Sequence, residues 1–153
     1  MREIYIRVKR MKIKQLSIFL QNRMGSLSKP LEVLTVADVN IRAMCMADTS
    51  EFGILRLVVD DPIKGKEALE ENNFLVKITD IIGVEMNDAP GGLTSVLDII
   101  KENLIDLEYL YAFSHKKEDK AILLLHADDI DKLIDVLTDN NIPIVSAEEV
   151  YNL

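Results

Sequence analysis

The outline of this chain occurs twice. Asn72-Asn73 followed by Phe74-Leu75-Val76-Lys77 reappears at the C-terminus as Asn140-Asn141 followed by Ile142-Pro143-Ile144-Val145. The stretch Gln21-Asn22-Arg23-Met24-Gly25-Ser26-Leu27 has its counterpart in Asn87-Asp88-Ala89-Pro90-Gly91-Gly92-Leu93. An offset of 66 residues (91 − 25) puts Gly25 on Gly91, Leu27 on Leu93 and Ile41 on Leu107. By the end of each unit two residues have been inserted, and Asn72 falls on Asn140. A twofold repeat of this length means two copies of one small domain rather than a solenoid. The expected division is therefore 1–10 as a segment outside the repeat, 11–80 as the first domain and 81–153 as the second.

A unit of about 70 residues buries only roughly 60% of its unfolded surface and is marginal alone, so two fused copies are expected to share an interface. At 48% hydrophobic and 29% charged residues the chain has the composition of an ordinary soluble globular protein. Its net charge of -8 repels phosphate backbones and argues against nucleic acid as a partner. No apolar run approaches a membrane span, and the N-terminus lacks the apolar core of a signal peptide. The one cysteine, Cys45, has no partner for an internal disulfide, which is consistent with a reducing cytoplasm.

Met1–Arg10 alternates polar and apolar residues and carries a net +3, from Arg2, Arg7, Lys9 and Arg10 against Glu3. A misassigned start, a loose tail and an extension of the first strand all remain open; the expectation is an extension or tail without a function. Lys12–Leu20 then reads as a strand with Leu16, Ile18 and Leu20 on one face, and Asn22–Ser26 as a turn. The helix that follows stacks Leu27, Leu31 and Leu34, with Pro30 tolerated near its first turn. Strands Ile41–Asp48 and Phe52–Asp60 form a hairpin across Thr49-Ser50-Glu51. Asp61-Pro62 starts the helix Ile63–Glu71, the carboxylate as cap and proline in the first turn, before the strand Phe74–Thr79. The second copy repeats the order: strand Ile81–Met86, helix Leu93–Asn103, strands Asp106–Phe113 and Lys120–His126, helix Asp129–Thr138, strand Ile144–Val150. Each unit is thus β-α-β-β-α-β, and right-handed crossovers close that order into an antiparallel sheet with both helices on one face. The expected fold class is α+β, two ferredoxin-like sandwiches in tandem.

Helices cover only one face of such a sheet. Alternation places Ile41, Ala43, Cys45 and Ala47 opposite Arg42, Met44 and Met46, and Leu107, Tyr109, Tyr111 and Phe113 opposite Glu108, Leu110 and Ala112. Apolar residues on both faces predict that the second face or its edge also meets protein, either the sister unit or another chain.

Catalytic constellations are not evident. His115 lies in the charged bend His115–Asp119, and neither it nor His126 has a second ligand at metal spacing, so no metal site or cofactor is expected. Asp128, Asp129 and Asp131 lack the glycine and closing glutamate of a calcium loop and read better as helix capping. Cys45 reads as packed rather than reactive, and the six methionines as core and interface filler. There is no Walker lysine loop, dinucleotide fingerprint or nucleophile elbow.

A tandem of β-α-β-β-α-β units, each with Gly followed two residues later by Leu where the first strand enters the first helix, resembles a pair of ACT domains, a small-molecule regulatory module best known for binding amino acids. The resemblance covers Met11–Leu153. The family's turn is an Asn or Asp, a spacer that often contains Pro, then Gly. Asn87, Asp88, Pro90 and Gly91 follow that pattern; the first copy keeps Asn22, Gly25 and Leu27 but has Met24 in place of proline.

The resemblance implies that Asn22, Arg23, Met24, Gly25, Ser26 and Leu27, and Asn87, Asp88, Ala89, Pro90, Gly91, Gly92 and Leu93, bind the ligand. It adds Asn40-Ile41 and Asp106-Leu107 as walls contributed by a neighbouring module. The chemistry suits an amino acid. A helix N-terminus offers N–H groups and a positive dipole end to the carboxylate, glycine permits close approach to the backbone, and an Asn or Asp oxygen can accept from the ammonium. The same glycines read equally well as plain turn residues, and Asn22, Asn87 and Asp88 as helix caps. The expected function is a non-enzymatic, allosteric sensor, a homodimer that binds a free amino acid and modulates an enzyme or regulator of amino-acid metabolism. The alternative is a ferredoxin-like acyl phosphate hydrolase with Arg23 in a phosphate cradle, a reading without a second arginine in the equivalent turn at Ala89.

Overall fold

A computed structural model describes residues 2–48, 51–114 and 119–153. Thr49-Ser50 of the expected hairpin bend and residues 115–118 of the charged bend lie outside them. The elements in chain order are α1 (Arg2–Met11), β1 (Ile13–Gln21), α2 (Ser28–Val36), β2 (Ile41–Asp48), β3 (Phe52–Val59), α3 (Pro62–Glu71), β4 (Val76–Asn87), α4 (Gly92–Glu102), β5 (Leu107–Ser114), β6 (Lys120–Ala127), α5 (Ile130–Asp139), β7 (Ile144–Val145) and α6 (Ala147–Tyr151). They form two compact units, 14–79 with 151–153 and 80–150 with 1–13, called the N-terminal and C-terminal units below.

In the N-terminal unit the strand order is β2-β3-β1-β4. β1 pairs antiparallel with β3, Leu16 opposite Leu57 and Gln21 opposite Phe52, and on its other side the Phe19 N–H donates to Leu75 O at 3.2 Å. Alternation sends Leu16, Ile18 and Leu20 to one face of β1, where they meet Leu55, Leu57, Leu34 of α2 and Leu69 of α3 in a buried core. Pro30, in the first turn of α2, is buried as well. Tyr151 ties the C-terminal residues to this unit: its Oη accepts from the Lys14 N–H at 2.7 Å and its carbonyl from Arg42 Nε at 2.9 Å.

The C-terminal unit repeats the order as β5-β6-β4-β7, all antiparallel. Its core joins Ile82, Val84, Leu123 and Leu125 to Val96 and Ile100 of α4 and Leu133 and Leu137 of α5. Local chemistry repeats with the fold. Asp61 Oδ1 accepts from the Lys64 N–H at 3.0 Å and Asp129 Oδ1 from the Lys132 N–H at 2.9 Å, so α3 and α5 are capped alike, and Pro62 occupies the first turn as expected. Each then ends in the Asn pair, with Asn73 at φ 65° and Asn141 at φ 56°. The second faces also hold buried residues: Gln15, Ser17 and Val58 in the N-terminal unit, Ile81, Ile122 and Leu124 in the C-terminal unit.

Four expectations need correction. Residues 2–11 form a helix, not a tail or strand extension; Val8 and Met11, three apart, pack against the C-terminal unit's core while Ile6 is exposed. A short apolar pattern fits both periods, and packing decides between them. Phe74–Thr79 and Ile81–Met86 are not separate strands, since β4 runs unbroken from Val76 to Asn87. The last strand stops at Val145, because Ser146 and Glu149 close a capping box that starts α6: Ser146 N–H and Oγ donate to Glu149 Oε2, both at 2.8 Å, and the Glu149 N–H donates to Ser146 Oγ at 3.2 Å. Finally, register shifts between Ile41 and Ala43 and between Leu107 and Tyr109 interrupt the alternation. A bulge of this kind moves the residues before it to the other face. Ile41 and Leu107 consequently pack against the cores, and Met44 and Met46 pair with core residues Leu57 and Leu55.

Candidate ligand-binding junctions

Each unit enters its first helix through a turn built around a glycine in the left-handed region, Gly25 at φ 78° and Gly91 at φ 90°. At that angle a side chain is strained, and a Cβ at either position would meet nothing within 4 Å, so both turns present bare backbone to open space. In the N-terminal unit the turn is held by backbone bonds, Arg23 N–H to Gln21 O (2.9 Å) and Ser26 N–H to Arg23 O (3.1 Å) within it and Asn22 N–H to Glu51 O (2.9 Å) just before β3, while Ser28 Oγ donates to Gly25 O at 3.0 Å. In the C-terminal unit Ser95 Oγ donates to Gly91 O at 2.9 Å, and the Asp88 N–H donates to Asp119 O at 2.9 Å. The Asn87 carboxamide is engaged there: its Oδ1 accepts from Lys120 Nζ at 2.8 Å.

The helices at these junctions differ from the other pair. α3 and α5 have Asp caps, whereas Leu27 and Gly91, the residues at the capping position of α2 and α4, make no side-chain cap bond, and neither helix has an acidic residue in its first turn. Two helix N-termini therefore carry a positive dipole end and first-turn N–H groups unmatched by a side-chain anion, an arrangement that suits a carboxylate ligand.

Asn22, Arg23, Met24, Gly25 and Leu27 are exposed around the first turn, with Ser26 half-buried; Asn87, Asp88, Ala89, Pro90, Gly91 and Leu93 are exposed around the second, with Gly92 half-buried. Asn40-Ile41 and Asp106-Leu107 are not brought to these turns within a unit. Gln21 pairs with Phe52 at one end of β3 and Ile41 with Val59 at the other, about 23 Å away at 3.3 Å per residue. Asn87 with Lys120 and Leu107 with Ala127 are likewise at opposite ends of β6. Asn40 is bound locally, its N–H to Asp60 Oδ1 (2.9 Å) and its carbonyl to the Asp60 N–H (3.0 Å).

A cavity of about 390 Å³ opens at the first junction, lined by Arg23, Ser26 and Lys29 together with Phe19, Leu20, Gln21, Phe52, Asn73, Phe74 and Leu75. Its size is that of a small-molecule site. Arg23 and Ser26 were singled out from the sequence; Lys29 of α2 and the three phenylalanines were not, because they come from separate segments that only the tertiary fold brings to one cavity. A second cavity of about 560 Å³ lies along α2 and α3, lined by Glu32, Val33, Val36, Ala68 and Glu71 among others, and shares Lys29 and Phe74 with the first. Among the described residues no helix is long and apolar enough to cross a membrane.

The family profile described as an ACT domain pair matches residues 11–153. The chain is similar to a protein of Bacteroides thetaiotaomicron of known crystal structure, with 38% identity over 94% of this chain and 98% of that one and a TM-score of 0.88. In fold alone it is similar to the ligand-free regulatory subunit of aspartate kinase from Thermus thermophilus, at 11% identity over 84% of this chain and 92% of that one, TM-score 0.60. The regulatory subunit from Thermus flavus is similar to the same degree, at 14% identity over 83% and 92% of the two chains, TM-score 0.55. No curated protein sequence matches the chain.

Proposed function

The chain belongs to the ACT domain pair family, and from that premise we propose that it is a non-enzymatic regulatory protein that binds a free amino acid at its strand-to-helix junctions and thereby changes its contact with an enzyme or regulator of amino-acid metabolism. The observation that carries the reading is the duplicated junction, with Gly25 and Gly91 both at positive φ, both open, and both opening a helix without a side-chain cap. An amino-acid carboxylate would take the place of the missing cap. Near Gly91 the exposed Asp88 supplies an acceptor for the ammonium, a role for which Asn87 is less suited while it holds Lys120.

Asn40-Ile41 and Asp106-Leu107 lie remote from the junction of their own unit, so in this proposal they serve as walls only for a second copy of the chain, in a homodimer. Regulation requires that the ligand bind two states of the protein with different affinity, so a partner-facing surface must respond to the occupied junction. We place this activity in the cytoplasm. A thermal-shift screen against the twenty amino acids tests the proposal: ligand at about 100 times its Kd stabilises by roughly 2.7 kcal/mol, a shift of a few degrees. A chain that responds to none of the twenty is not an amino-acid sensor.

A further inference from the structure

The cavity at the N-terminal junction has walls that a zwitterion alone does not call for. Three of the chain's four phenylalanines, Phe19, Phe52 and Phe74, line it. Phe52 pairs with Gln21, two residues on from Phe19, so Phe19 and Phe52 belong to one face of the β1–β3 pair. Phe74 comes from beside the core, against which it packs. Phe19 and Phe52 are nevertheless 45% and 57% exposed. Large apolar side chains left in water forgo the free energy of burial, and a concave site with convergent polar groups is where such a cost is recovered by a ligand.

The charges point the same way. In a chain of net charge -8, the charged residues lining this cavity are Arg23 and Lys29, both cationic. We infer that the N-terminal cavity takes an aromatic carboxylate, its ring against Phe19 and Phe52 on the sheet face away from the core and its carboxylate toward Arg23 and Lys29, with no requirement for an α-ammonium. The inference rests on the reading of the junctions as ligand receptors and narrows the ligand class for one of them. Aromatic pairs contribute beyond the area they bury, and a guanidinium offers a carboxylate two parallel hydrogen bonds. Among the described lining residues there is no carboxylate; the side-chain acceptors an ammonium would meet are the neutral Gln21, Ser26 and Asn73, so the charge of the lining favours the anion.

The test is isothermal titration of the full chain with four probes: 3-phenylpropionate, L-phenylalanine (the same skeleton with an α-ammonium), 3-phenylpropan-1-ol (ring without charge) and propionate (charge without ring). The expected result is that 3-phenylpropionate binds at least as tightly as L-phenylalanine and at least about tenfold tighter than the alcohol or propionate. The double variant Arg23→Gln, Lys29→Gln should weaken it by about tenfold or more with an unchanged melting temperature, since both side chains are exposed. Equal binding of the alcohol or of propionate, tighter binding of L-phenylalanine, or no effect of the double variant overturns the inference. If 3-phenylpropionate fails while one of the twenty amino acids binds, the aromatic carboxylate is lost and the amino-acid reading stands. If 3-phenylpropionate binds as expected and no α-amino acid does, the amino-acid reading is lost and this one stands; silence from all removes both.

Discussion

Gly92 stands so close to Asn87 that a Cβ on Gly92 would overlap the Asn87 carbonyl oxygen. The second glycine of the pair thus has a steric task, distinct from that of Gly91, which is open on its Cβ side. Because the obstruction is backbone, Gly92→Ala has to displace the start of α4, at a cost of about 1–3 kcal/mol as in other overpacked sites. Urea denaturation should show that loss, and a variant as stable as the parent would mean that the turn yields freely.

Ligand binding separates the roles of the two junctions. Gly91→Asp puts an anion where the ligand carboxylate is proposed to sit, and it should abolish the amino-acid response of that junction while circular dichroism stays native. Unchanged affinity in this variant removes the second turn from the site.

The paired caps provide a stability test with an internal replicate. Asp61→Ala and Asp129→Ala each remove a side-chain acceptor from a helix N-terminus, at 3.0 and 2.9 Å from the N–H it serves. Each should cost about 1 kcal/mol, and the two effects should add, because the sites lie in different units. Chemical denaturation of the two single variants and the double variant measures both statements.

Leu69 and Leu137 are equivalent under the repeat and fully buried in their separate cores. Truncation of either to alanine should destabilise by about 2–5 kcal/mol, the range for a buried leucine that leaves a cavity. A loss below 1 kcal/mol in calorimetry would show that the site collapses around the smaller side chain.

The N-terminal helix can be tested in the same way. Val8 packs against the C-terminal unit's core, whereas Ile6 is 46% exposed. Val8→Asp should therefore lower the melting temperature by several degrees and Ile6→Asp by far less. Equal effects would contradict the helical face that the structure assigns.

The repeat, the order of elements, the caps at Asp61 and Asp129 and the turns at Gly25 and Gly91 were legible from the chain alone, because each depends on residues a few positions apart. Turn chemistry, capping and short periodicities are local, and local physics survives in a linear string. Even there a short pattern can serve two structures, which is why residues 1–10 read as a strand extension or tail whereas residues 2–11 fold as a helix. Ser146 and Glu149, at the spacing of a capping box, were the overlooked sign of the last helix.

Tertiary structure alone decided the rest. The bulges after Ile41 and Leu107 arise from strand pairing, and they reassign side chains to faces that simple alternation places elsewhere. Phe19, Phe52 and Phe74, separated by 33 and 22 residues (52 − 19 and 74 − 52), become walls of one cavity only because β1 lies between β3 and the start of β4. No local rule encodes that proximity; it follows from long-range hydrogen bonding and from burial of the core beneath it.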